Sequence, residues 1–263
     1  MSGRPAWRGL LVSVREPAEV EPAVRGGAAI IDVKEPACGP LGPAAPATIA
    51  AIATIIAGRT PWTIACGELA AGAAAALVQE TVDLLPPAAT PPAAVKAGPA
   101  GLDLAGWQNA FRAFCAGLPA GVESVAVAYA DADSASAPAV DRILVAAAEQ
   151  GCGLVLIDTF AKNGPGLLAE GTERLARWLD QGRRLGLGLA VAGRLSLDEI
   201  AAVARLGADV VGVRGSVCRG GRSGRVHPDL VTAAAHAAPR RRTLKEQDPR
   251  DCPGSVHLSG TSL

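Results

Sequence analysis

Lysine is scarce in this chain. Of its 25 basic residues four are Lys, at 34, 96, 162 and 245, and all the others are Arg. Aromatic residues make up 3% and there is a single Met, so a core has to be assembled from Ala, Val, Ile and Leu. The six Cys, at 38, 66, 115, 152, 218 and 252, form no CxxC pair, and the three His come late, at 227, 236 and 257. That spacing does not resemble a structural zinc site and reads as reduced, mostly buried thiols. Cys38 and Cys218 are the exceptions, because they fall in loops of the expected active face. Net charge is absent too, with 25 basic against 25 acidic residues, which removes the broad electrostatic case for nucleic acid or an anionic membrane. No uncharged apolar run of about 18 residues has the flanks of a membrane span. The opening, MSGRPAWRGLLVSV, is too short and wrongly ordered for a signal peptide. A cytoplasmic protein is the expectation, with no metal and no cofactor required by any motif, and with a homo-oligomer as the expected assembly.

What is present is a regular alternation. Apolar runs at 10–14 (LLVSV), 28–34 (AAIIDVK), 61–67, 93–99, 124–131, 154–160, 187–193 and 209–215 read as strands. Between and after them, Ala-rich or amphipathic stretches predict helices over 16–26, 46–57, 71–85, 103–117, 139–150, 166–184, from Ser196, and 228–237. Ser196 with Glu199 three residues on is a capping-box pattern. Eight strands each followed by a helix, in 263 residues, predict an α/β fold of the (β/α)8 TIM-barrel class, for which about 250 residues is typical. An open doubly wound sheet is the competing arrangement, but no GxGxxG follows the first strand. The barrel is expected over 10–238, after a short extension at 1–9. Residues 239–263 are polar and aperiodic and are expected to form a disordered tail.

The chemistry clusters where such a barrel keeps it, at the strand C-termini. Asp32 and Lys34 end the second strand on one face, since alternate strand residues point the same way. Lys96 ends the fourth strand, Asp131 the fifth and Asp158 the sixth, with Lys162 four residues beyond. Arg cannot replace a lysine that has to lose its proton and attack a carbonyl. Three of four surviving lysines at apolar strand ends therefore suggest amine chemistry, with crowded ammonium groups lowering one another's pKa. The last two loops read as an anion site. AVAGR at 190–194 leads into a helix N-terminus, and VGVRGSVCRGGRSGR at 211–225 supplies Gly amides and guanidinium groups. Gly193, Arg194, Arg214, Gly215, Ser216, Gly220 and Gly221 are the candidate phosphate contacts, with Arg219 and Arg222 nearby.

IIDVKEP, the CGPLG loop, VKAG, AYAD, LIDTFAKNG, AVAGR and DVVGVRGSVCRGG, in that order, resemble the (5-formylfuran-3-yl)methyl phosphate synthase family, TIM barrels of methanofuran biosynthesis. The resemblance covers about residues 10 to 238. It implies condensation of two glyceraldehyde 3-phosphates, a phosphorylated triose, into a furan-carboxaldehyde phosphate, with loss of one phosphate and water. It also implies a Schiff-base lysine at Lys34, a proton-accepting lysine at Lys96, and further active-site groups at Asp32, Asp158 and Lys162. The chain departs from the family in a Pro-rich insert at 86–92, in CGEL at 66–69, and in its tail. The insert precedes a strand and belongs on the opposite barrel face, whereas CGEL ends a strand and could alter substrate fit. Two other readings stay open on the residues alone. One is a different lysine-dependent phospho-sugar aldolase, and the other is an inert barrel that binds a phosphate metabolite.

Overall fold

The computed structural model describes residues 7–239. Eight strands form a closed parallel barrel: β1 Gly9–Val14, β2 Ile30–Val33, β3 Trp62–Glu68, β4 Ala94–Gly98, β5 Glu123–Tyr129, β6 Leu154–Asp158, β7 Gly188–Val191 and β8 Val210–Val213, with β8 closing on β1. The helices are α1 Val20–Arg25, α2 Pro46–Ile56, α3 Ala74–Leu84, α4 Leu104–Ala116, α5 Val140–Glu149, α6 Glu173–Arg184, α7 Leu197–Arg205 and α8 Pro228–Ala237. Among the described residues no helix is long and apolar enough to cross a membrane. The expected tail, from 240 onward, lies outside the described residues, as do residues 1–6 of the extension.

Strand alternation divides the core in two. One face of each strand meets the helices through residues such as Val12, Ile31, Ile64 and Val95, against Ile49, Ile52 and Ile56 of α2. Those three Ile recur at i, i+3 and i+7, the stripe an amphipathic helix buries. Removing such a side chain from water contributes about 1.5–3 kcal/mol. The other face points into the barrel, with Ile30, Ala65, Ala94, Val127, Leu156, Ala190 and Val210 packed on its inner wall. Many of these are small.

Two predicted helices are shorter than expected. The segment predicted as helix over 16–26 is a 3-10 turn at Pro17–Glu19 followed by α1. In the 166–184 segment, helix begins only at Glu173. Gly171, with φ +96, interrupts the run two residues before the helix, and the amide of buried Leu167 donates to Gly193 O at 2.9 Å, tying this stretch to the β7 loop.

At the end of β3 the register with β4 shifts between Ala65 and Glu68, a bulge of the kind that re-aims a side chain. Gly67 there has φ +81, a region open to Gly at little cost. The Glu68 carboxylate accepts from Tyr129 Oη at 2.7 Å and from the Ala100 amide at 3.0 Å. A methyl group at Gly98 would collide with both the Glu68 carboxylate and the Tyr129 hydroxyl. Cys66 joins the outer core, where burial pushes its thiol up to about 12. CGEL is thus a strand-end brace. The 86–92 insert precedes β4 on the opposite face from the mouth, where Trp62 Nε1 donates to Thr90 O at 3.2 Å.

Candidate active site

Register brings Ser13, Asp32 and Thr63 side by side on β1, β2 and β3. All three are buried. An unpartnered carboxylate there would carry a desolvation penalty of several kcal/mol, and three donors offset it. Ser13 Oγ donates to Asp32 Oδ2 at 2.9 Å, Thr63 Oγ1 donates to Oδ1 at 2.7 Å, and Lys96 Nζ donates to the same Oδ1. Lys96 also donates to Thr63 Oγ1 at 3.2 Å. Ser13 and Thr63 escaped the sequence reading because each passes for an ordinary member of an apolar strand. The available signal was a hydroxyl at an inward position beside Asp32.

Asp158 ends β6 and makes the second pair. Its Oδ1 accepts from the Thr159 amide at 2.7 Å and from Lys162 Nζ at 2.9 Å. Burial pushes this carboxyl up, but Lys162, Lys34 and the hydrogen bonds outweigh it and hold the group below the usual carboxylate range. Asp131 stands back from the cavity. Its carboxylate accepts from the amides of Phe160 and Ala161 at 2.6 and 2.8 Å, fixing the loop that carries Lys162.

Lys34 is different. Its Nζ donates to Pro40 O at 3.4 Å, and no described carboxylate lies within ion-pair distance of it. Burial lowers its pKa from 10.5 to about 8; Asp158 and Asp32 pull it up, while Lys162 and Arg222 push it further down. Three lysines thus share two carboxylate partners, and Lys34 is the amine left over.

All five predicted catalytic residues line one cavity of about 410 Å³. Gly193, Arg194, Arg214, Gly215, Ser216 and Gly221 line it as well, together with Arg222. Gly220 and Arg219 do not, and neither do Cys38 and Cys218. Ser216 Oγ is buried with no partner among the described residues, a donor open to a ligand. Arg194 is exposed, has φ +58, and donates to Lys162 O.

The expectation for Arg214 needs correction. Its Nε donates to Arg222 O at 2.8 Å, its Nη1 to Ser13 O and Glu19 Oε2 at 2.9 Å each, and its Nη2 to Glu19 Oε1 and Gly224 O at 3.1 Å each. A guanidinium has five N–H donors, and all five are taken by the protein. Arg214 therefore ties the 215–224 loop to the first barrel loop and has no donor left for phosphate. Arg222 is the better-placed cation; its Nη2 donates to Gly39 O across the mouth at 2.7 Å. The capping box at α7 is formed, so the Ser196 amide is already bound by Glu199.

A closed eight-stranded barrel with paired lysines and carboxylates in its C-terminal mouth is the architecture of a (β/α)8 enzyme. Residues 10–235 match the family model described as 4-HFC-P synthase, and the chain belongs to that family. A (5-formylfuran-3-yl)methyl phosphate synthase of Methanocaldococcus jannaschii is 33% identical over 241 residues, spanning 84% of this chain and 96% of the relative. One of Archaeoglobus fulgidus is 31% identical over 245 residues, spanning 87% and 98%. Among solved structures, 3-hexulose-6-phosphate synthase from Salmonella typhimurium superposes with a TM-score of 0.59 at 16% identity, covering 87% of this chain and 97% of that one. Thiamine phosphate pyrophosphorylase from Pyrococcus furiosus gives 0.56 at 11%, covering 88% and 95%. At such identities the two structures speak for the fold alone.

Proposed function

We propose that the chain is a (5-formylfuran-3-yl)methyl phosphate synthase that joins two molecules of glyceraldehyde 3-phosphate through a Schiff base on Lys34. The observation that carries this reading is the unpaired Lys34 amine, lowered to about 8 in a cavity that it shares with two lysine–carboxylate pairs. A neutral amine attacks the aldehyde carbon, water leaves, and the resulting iminium is an electron sink for forming the carbon–carbon bond. Within the Lys96–Asp32 pair, bridged by Thr63, the ammonium of Lys96 passes a proton to the Asp32 carboxylate, and the neutral Lys96 amine so formed accepts the proton removed from the neighbouring carbon. Lys162, held by Asp158, protonates a departing oxygen. Gly193, Gly215, the Ser216 hydroxyl, Gly221 and Arg222 form the phosphate cradle, and Arg194 stands at its rim.

Glyceraldehyde 3-phosphate incubated with the protein should yield inorganic phosphate and a furan aldehyde identified by NMR and mass spectrometry. Borohydride added during turnover should fix the adduct on Lys34. Trapping on Lys34 without a furan product would favour the phospho-sugar aldolase reading, and no trapping at all would favour a binding barrel.

A further inference from the structure

The catalytic cavity does not stop at its polar mouth. It runs down the barrel axis between Leu11, Ile30, Val125, Leu154 and Leu156 to Trp7, before the first strand. Barrels of this class normally fill that space with layers of bulky branched side chains. Here several inward positions are small, with Ala190 and Ala192 from β7 and its loop and Gly212 of β8 lining the cavity. A Cβ on Gly212 would sit 3.3 Å from that of Ala192 and 3.6 Å from Leu11 Cδ2, so the wall is closely packed at this point and a bulkier residue there would have to displace its neighbours. Apolar cavities of about 150 Å³ hold benzene in other proteins; this one measures about 410 Å³ including its mouth.

We propose that the lower bore is an apolar subsite for an uncharged planar ring, and that it receives the furan ring as it forms. This rests on the synthase reading of the mouth. Hydroxylated precursors would leave polar groups unpaired among Leu, Ile and Val, which is unfavourable. The ring that remains after dehydration carries few such groups. The bore therefore binds the late species better than the early ones, and binding that strengthens along the reaction favours the forward steps. Phosphate stays at the mouth, held by the cradle, while the ring points inward.

The probe is 2-methylfuran, which has neither a phosphate nor a carbonyl. Ligand-observed NMR on the full-length protein should show binding, with contacts to a Trp indole and to methyl groups of the inner core. Ala190→Leu should weaken it at least tenfold, and Leu156→Phe, which fills the same space from β6, serves if the first variant does not fold. Absence of binding to the unmodified protein, or binding undiminished in a folded bore-filled variant, would overturn the proposal. Borohydride trapping of triose phosphate by the unmodified protein tests the parent reading separately. Trapping without 2-methylfuran binding rejects the subsite alone, and binding without trapping rejects the synthase reading.

Discussion

Lys96 and Asp32 form an ion pair inside the barrel mouth with side chains only 6% and 2% exposed. Removing one member of such a pair leaves the other charged and unpartnered, which costs about 3–5 kcal/mol, whereas removing both is far milder. Asp32→Asn should therefore lower unfolding free energy by about that amount in urea melts. Asp32→Asn combined with Lys96→Met should recover much of it, and both proteins should be inactive. A loss below about 1 kcal/mol for the single variant would mean that water reaches the pair.

Lys34 sets a pH dependence with a definite sign. With its pKa lowered from 10.5 to about 8, the neutral amine appears as pH rises through 8, and the rate of borohydride trapping should rise with it. Asp158→Asn removes a charge that favours the ammonium form and should move this limb to lower pH. Lys162→Met removes a repelling charge and should move it to higher pH. Stability follows by linkage: between about 8 and 10.5 the unfolded chain holds a proton that the folded chain has released, so Lys34 makes the fold more stable as pH rises through that window. Limbs that do not move in opposite directions would argue against a shared site.

Glu19 and Arg214 offer a third test, because Glu19→Gln frees part of the Arg214 guanidinium. If Arg214 is the clamp of the 215–224 loop, the variant should raise KM for the phosphorylated substrate about tenfold and lower the melting temperature, with kcat changed less. If Arg214 were itself the phosphate ligand, freeing it would leave KM unchanged or lower it.

The barrel and its rim lysines could be read from the chain because their signals are local: apolar runs, turn residues, and rare Lys at strand ends. Arg214 marks the limit. Its inward direction follows from alternation with Val210 and Gly212, but its partner Glu19 lies 195 residues away in sequence. Nothing local says that a guanidinium near a Gly-rich loop is already satisfied. The 166–184 stretch reads as one helix for a related reason, since nothing local shows that the Leu167 amide is claimed by Gly193, a partner from another loop. Thr63 and Ser13 look like strand residues until register sets them beside Asp32.

The brace at the end of β3 has an evolutionary consequence. Glu68, Tyr129 and Gly98 occupy one small volume contributed by three adjacent strands. Drift at any one of these positions is conditional on the other two. A lineage acquiring a side chain at 98 has first to shorten residue 68 or give up the phenol at 129, whereas a lineage that loses Glu68 releases 98 to vary. Among relatives that keep both the acid at 68 and the phenol at 129, residue 98 should stay glycine, and only those with a shorter residue at 68 or no phenol at 129 are free of that constraint.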